Sequence, residues 1–428
     1  MQTVSTTDAK IYCIVLICLT LWATAAIPAA LTSLLFFSLS MLMTDLIPSE
    51  ILSGFTSSAF WLVLSGSAMS YAIKESGLGD RAGAYLTNII GHSYLRALLT
   101  FSLFSFLLAL TVPSTFGRIS ILVPIAVGYC QAAGIKNNDN GYTGIIMLII
   151  VSAFGIGSGV LPANLPNLIM AAGMERTAHE TMGYTEYLYY FFPAAVLLRS
   201  AVLIAISYIF LSTKITQKPP PHTSKKISHH EILTGTLILL TVAFWMTDKI
   251  HGISPGWAGI IFSVSYLFTR GKNAFQSIRH IINLNLLLYI SATVGVAILL
   301  SHVELPNANN LGLNFESRPI ATYFTLAALS IALCFLVTSN ASPAIYTPIT
   351  ANALQGSANL KMGILTQVPA YSTTFMPYQA PPIVYGILIA DIDKKAALKY
   401  CMLTGAAGLI TVIPANAAWW WLIKAFPI

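Results

Sequence analysis

Charge is scarce in this sequence. Only 9% of its 428 residues are Asp, Glu, Lys or Arg, where a soluble domain carries about 25%. With 56% hydrophobic residues and a mean hydropathy of +0.74, that shortage excludes an ordinary soluble fold and leaves an integral membrane protein. No glycine-rich turn ends in Lys followed by Ser or Thr, which excludes a P-loop and direct ATP drive from this chain. No nucleophile and base pair, and no metal-ligand cluster, can be picked out, so neither an enzyme nor a cofactor is expected. The five cysteines, Cys13, Cys18, Cys130, Cys334 and Cys401, lie mostly in apolar surroundings without metal-ligand spacing and read as small core residues, with no disulfide framework. Acidic residues are few, and no pair of them points to a proton relay. Asp391 and Asp393 sit beside Lys394 and Lys395, as at a membrane edge, while Asp248, Glu304 and Glu316 lie in polar breaks. The net charge of +7 is dispersed over short polar segments, so it reads as an orientation signal and not as a nucleic-acid surface.

What the chain does have is apolar runs from end to end, including 98–110, 145–152, 194–211, 232–245, 282–300, 321–337 and 406–422. At roughly 20 residues per spanning helix they predict about ten to twelve membrane segments, in a multi-pass protein of the cytoplasmic membrane. The first run follows Lys10 without a convincing cleavage pattern and is expected to be a retained helix. Lys74 and Glu75 mark a helix end, with Gly77 and Gly79 breaking it. The polar segment 212–231 contains Pro219, Pro220 and Pro221, which stop a helix, and Lys214, Lys218, Lys225 and Lys226, which place it on the cytoplasmic side. Its histidines, His222, His229 and His230, read as solvated. The expected organisation is an N-terminal half, 1–211, a cytoplasmic linker, 212–231, and a C-terminal half, 232–428.

The halves carry similar irregularities in similar order. VPSTFGRISILVPIA, 112–126, is followed by GIGSGVLPANLPNLIMAAG, 155–173; LVTSNASPAIYTPITANA, 336–353, is followed by YSTTFMPYQAPPIVYG, 371–386. Paired Gly/Pro interruptions of apolar segments point to a transporter's binding site near the bilayer midplane. Unpaired backbone cannot face lipid, so such turns must be buried in protein or line a polar cavity. There they offer carbonyls to a cation and helix N-termini to an anion. Gly157 and Gly159 allow close backbone approach or serve helix packing.

Arg118 stands in one of the most apolar regions of the chain. An arginine in hydrocarbon costs several kcal/mol, so it must face protein, water or a ligand. Ser114 and Thr115 in the first half, and Ser339 and Asn340 in the second, can cap free N–H groups or contact an ion. Asn164, Asn167 and Gln379 sit beside the prolines Pro166, Pro381 and Pro382, where the helix loses a hydrogen bond and amides can substitute for it.

At these stretches the chain resembles the divalent-anion/sodium symporter family. The likeness rests on Ser114, Thr115 and Phe116; on Ser339, Asn340 and Ala341; on Asn164, Leu165, Pro166 and Asn167; and on Gln379, Ala380, Pro381 and Pro382. The segment 53–81 looks like the family's early scaffold, and the likeness runs from about Ile51 to Gly386. Thr115 replaces an asparagine of the family signature, and Ala341 lacks the hydroxyl of its counterpart. The resemblance implies an all-α polytopic protein with two inverted repeats, two re-entrant hairpins and broken membrane helices, working as a homodimer by an elevator-like motion.

The expected activity is secondary transport of a small, dicarboxylate-like dianion, coupled to sodium. Exchange of dicarboxylates or tricarboxylates, transport of sulfate or another oxyanion, and cation/proton antiport on the same scaffold are the rival readings. Substrate contacts are expected from Ser114, Thr115, Arg118, Ser339, Asn340 and Pro381, and sodium contacts from Ser114, Asn164, Asn167, Ser339, Asn340 and Gln379. The PST-then-arginine order is similar to the dicarboxylate and citrate exchanger branch and makes Arg118 the leading partner for substrate charge.

Overall fold

The structure, a computed structural model, describes residues 6–24, 26–91, 93–137, 139–215, 226–253, 255–302 and 317–425. All regular elements among the described residues are helical. Among the described residues, six helices are long and apolar enough to cross a membrane, or seven if the bent pair Gly256–Ile281 and Leu284–Leu300 forms one span. That is fewer than the ten to twelve expected from the apolar runs. Part of the apolar sequence is cut into helices too short to span. Ser342–Ala353 has 12 residues and Pro381–Ile389 has nine. At 1.5 Å per residue these reach only about 14–18 Å, against a hydrocarbon core of roughly 30 Å.

The two halves run through the same order of elements. In the first half, Tyr94–Thr111 and Thr115–Ala132 are followed by Asn140–Gly155, an irregular stretch 156–164, Leu165–Thr177 and the long Tyr184–Leu211 segment. In the second, Pro319–Leu336 and Ser342–Ala353 are followed by Leu360–Leu365 with Gln367–Tyr371, an irregular stretch 372–380, Pro381–Ile389 and the Lys394–Leu422 segment. Local chemistry sets these boundaries. The Ser114 hydroxyl caps Thr115–Ala132 by accepting from Gly117 N at 3.1 Å. Pro166, Pro343, Pro381 and Pro382 all stand in the first turn of their helices, where the missing N–H costs nothing.

Packing does not follow the halves. Thr6–Thr24, Ala29–Met43 and Ser58–Ser76 pack with His229–Met246, Pro255–Arg270 and Leu284–Ser301, drawing one group from both halves. The remaining helices interlock across the halves: Thr115–Ala132 packs on Pro381–Ile389, and Leu165–Thr177 on Ser342–Ala353. Cross-half hydrogen bonds, such as Tyr142 Oη to Ala390 O at 2.8 Å and Ser207 Oγ with Tyr400 Oη at 2.8 Å, tie the second group together. The Asn140–Gly159 segment is 94% buried over its apolar window and runs through the middle of this group.

The smaller expectations have mixed outcomes. Gly77, with φ of 83°, ends the Ser58–Ser76 helix in a left-handed turn that suits glycine, but Gly79 lies inside the next helix and breaks nothing. Four of the five free cysteines are buried, and Cys13 is exposed. Much of the 212–231 segment, with its prolines, His222, Lys218 and Lys225, lies outside the described residues, as do Glu304 and Glu316. Its described end is already helical: Ser228 and Glu231 form a reciprocal cap on His229–Met246, and Glu231 also pairs with Arg81 at 2.6 Å.

Candidate functional site

Ending a helix in the protein interior leaves its last carbonyls without partners. The first break, between Gly155 and Leu165, satisfies them with side chains. Arg118 Nη2 donates to Ala153 O at 2.6 Å, Asn164 Nδ2 to Phe154 O at 2.5 Å, and Ser158 Oγ to Gly155 O at 2.6 Å. Arg118 Nη1 donates to Ala163 O at 2.8 Å and Val112 O at 2.6 Å, joining the far end of the break to the residue ahead of the Ser114 cap. Asn164 Oδ1 accepts from Thr115 Oγ1 at 2.7 Å and from Arg118 Nη2 at 2.9 Å. Thr115, Arg118 and Asn164 are therefore one network.

Only glycine fits beside this network at 157. A Cβ there would lie 2.5 Å from Arg118 Nη2 and 2.6 Å from Asn164 Oδ1. Asn167 completes the break from within the following helix. Its Nδ2 donates to Val160 O at 2.8 Å and Gly157 O at 3.2 Å, while its Oδ1 accepts from Tyr371 Oη of the second half at 2.7 Å.

The second break, between Tyr371 and Pro381, is held differently. Arg199, buried in the long Tyr184–Leu211 segment just after a π-helical turn at Phe192–Leu198, reaches across from the first half. Its Nη1 donates to Ser372 O at 2.8 Å, and its Nη2 to Ser372 Oγ at 2.8 Å and Thr373 Oγ1 at 3.4 Å. Gln379 Oε1 accepts from Phe375 N at 2.7 Å and Met376 N at 2.8 Å, and Ser339 N donates to Gln379 O at 2.7 Å. Ser330, Ser339 and Ser342 lie around the Cys334 thiol, a weak hydrogen-bonding group. Beyond these contacts, Ser339 Oγ, Asn340 Oδ1, Ser342 Oγ, Thr350 Oγ1, Gln367 Oε1 and Gln379 Nε2 are buried without a regular hydrogen bond.

The structure thus gathers the expected residues into two networks, Thr115, Arg118 and Asn164 in one and Ser339 with Gln379 in the other. Tyr371 and Asn167 bridge them. Ser114 is half-buried as a helix cap, Pro381 is exposed at a helix start, and Asn340 is 5% exposed with its carbonyl oxygen unpaired. Arg118, expected to face a ligand, meets protein oxygens in this conformation. The residue is 0% exposed, and both terminal nitrogens already donate to protein oxygens, so in this conformation no terminal N–H remains for an anion. Asn164 and Asn167 likewise have their amide oxygens engaged by protein donors.

Arg199 and Tyr371 were missed. For Arg199 the signal was present: it is a lone charge inside a 28-residue apolar segment, the same anomaly that singles out Arg118. Tyr371 had no signal beyond its place next to the break.

Among the described residues, two breaks closed by buried amides and arginines recur in similar order along helical membrane segments. The model of the family described as sodium:sulfate symporter transmembrane region matches residues 2–425. The chain belongs to this family. It is a multi-pass protein of the cytoplasmic membrane, in a family of transporters and not of enzymes. Over 279 residues it is 24% identical to the sodium-dependent dicarboxylate transporter SdcS of Staphylococcus aureus (strain NCTC 8325 / PS 47), covering 59% of this chain and 53% of that protein. SdcS of the bovine strain RF122 / ET3-1 matches with the same identity and coverage. The chain spans about half the length of the curated relatives it matches. Among solved structures, the crystal structure of the Alcanivorax borkumensis YdaH transporter, described as having an unusual topology, superposes with a TM-score of 0.61 at 16% identity. The superposition covers 96% of this family member and 98% of YdaH, a likeness of fold.

Proposed function

We propose that this chain is a secondary transporter that carries a small dicarboxylate-like dianion across the cytoplasmic membrane together with sodium. The observation that carries the proposal lies at the start of the Ser342–Ala353 helix, which Ser339 N ties to Gln379 O of the second break: side-chain oxygens of Ser339, Asn340 and Ser342 are buried there without regular hydrogen bonds. Burying polar atoms unpaired costs about 1–3 kcal/mol each, so a fold that gathers several of them is built to receive something. Neutral oxygens suit a sodium ion, and a bound sodium would in turn attract a carboxylate. The family's description and the dicarboxylate relative support the same reading.

Within this reading, Ser339, Asn340 and Gln379 are the first candidates for sodium, and Ser114, Thr115, Asn340 and the exposed Pro381 edge for substrate. Arg118, Asn164 and Asn167 hold the first break in shape. The similar order of elements in the two halves supports inverted repeats. The two packing groups support a scaffold, carrying a homodimer contact, against which the broken-helix group moves as an elevator. The test is uptake of labelled succinate, citrate or sulfate into proteoliposomes under a sodium gradient, with internal dicarboxylate as a second arm. Sodium-driven succinate uptake that Asn340→Ala abolishes is the expected result. Uptake that needs internal dicarboxylate and ignores sodium would replace symport with exchange, and no flux of any of the three anions would overturn the proposal.

A further inference from the structure

The surroundings of Arg118 form an oxygen cage. Five oxygens meet its two terminal nitrogens: Val112 O at 2.6 Å, Ala163 O at 2.8 Å, Ala153 O at 2.6 Å, Asn164 Oδ1 at 2.9 Å and Thr115 Oγ1 at 3.3 Å. No carboxylate is among them. The Arg and Lys ion pairs among the described residues, Arg81–Glu231, Arg270–Glu75 and Lys361–Glu186, all lie elsewhere. A guanidinium in a fully buried site is ordinarily neutralised by an acid. Here main-chain carbonyls at the end of a broken helix do that work, aided by the negative end of the Asn140–Gly155 helix dipole.

Unwound carbonyls joined by an amide oxygen and a hydroxyl are also the donor set with which broken membrane helices hold a monovalent cation. Beside the second break, at the start of the Ser342–Ala353 helix, the side-chain oxygens of Ser339, Asn340 and Ser342 have no regular hydrogen bond and receive no cationic side chain, and Arg199 bonds instead to Ser372 and Thr373. We propose that the Arg118 guanidinium is the resident cation of the first break, covalently tethered in an oxygen cage that would otherwise take a soluble one. It follows that a dissolved cation is held at the second break only. That corollary rests on the sodium-coupled reading above; the occupancy of the first cage does not.

The experiment is thermal unfolding of the purified full chain in choline chloride, in sodium chloride of equal concentration, and in choline with about 20 mM guanidinium. Arg118→Ala in choline is expected to unfold on the order of 5–10 °C below wild type. Guanidinium or sodium should recover a good part of that loss, and should still do so when Asn340→Ala is added. Arg118→Lys, which keeps a tethered charge, should need no added cation. A merely structural arginine predicts an Arg118→Ala defect that neither cation moves, and that outcome overturns the proposal. So does an Arg118→Ala chain as stable as wild type in choline. If Arg118→Ala yields no folded protein, Arg118→Gln takes its place in the same three salts, and loss of Arg118→Lys along with both neutral variants also overturns it. A wild type whose stability ignores sodium would count against the sodium-coupled reading, while the guanidinium arm still decides the cage.

Discussion

The two breaks meet one physical demand in opposite ways. Both interrupt a buried helix and both free carbonyls that lipid cannot satisfy. In the first, three carbonyls, an amide and a hydroxyl converge on Arg118 from its own half, and the polar atoms of Thr115, Asn164 and Asn167 are spent on protein. In the second, the arginine comes from the other half and grips only the start of the break at Ser372 and Thr373. Gln379 Nε2 in that break, and the side chains of Ser339, Asn340 and Ser342 beside it, keep atoms without a regular hydrogen bond. Two halves with a similar order of elements need not share their chemistry. One break is closed around an internal charge, and beside the other, buried polar atoms are left without regular hydrogen bonds.

Neutralising each arginine should therefore damage the protein unequally. Arg118→Gln removes a donor set that serves five oxygens at once. Loss of one partner from a buried charged network costs about 3–5 kcal/mol, and a low unfolding temperature with poor recovery from membranes is the expected result. Arg199→Met should cost less, on the order of 2 kcal/mol, because Ser372 and Thr373 also bond to Pro369 O at 3.1 and 2.7 Å and keep part of their structure. Equal losses in a melting comparison would erase the difference between the breaks. Gly157→Ala sharpens the same point without touching a charge. The added methyl must displace Arg118 Nη2 or Asn164 Oδ1, so a loss of about 1–3 kcal/mol is expected, with transport falling in parallel.

Much of this was legible in the sequence, and the parts that were not have a common cause. The membrane class followed from scarce charge, and the positions of both breaks followed from Pro166, Pro343, Pro381 and Pro382, since proline acts through its own backbone. The direction of a side chain is another matter. Arg118 had to avoid lipid, but whether it met a ligand or a carbonyl depended on where Ala153 and Ala163 came to lie, 35 and 45 residues further along. Arg199 depended on contacts 173 residues away, and no local pattern encodes that distance. The smaller number of full-length spans among the described residues has a related reason: hydropathy registers an apolar run but not its division into helices too short to cross.

The smallest expected effects fall on the residues that join or open the breaks. Tyr371→Phe deletes the hydrogen bond to Asn167 Oδ1 and the hydroxyl's contact with Tyr187, and should cost about 1–2 kcal/mol because the amide oxygen is left buried. If the bridge only stabilises, sodium affinity should stay at the wild-type value; if it transmits occupancy between the breaks, the concentration of sodium giving half-maximal uptake should rise several-fold. Asn340→Ala is the opposite kind of change. Its carbonyl oxygen has no partner to lose, so unfolding in choline should shift by no more than about 0.5 kcal/mol, in either direction. Stabilisation by sodium, and uptake with it, should disappear. A variant as unstable as Arg118→Gln would show that Asn340 is structural after all, and the two breaks would then differ in degree and not in kind.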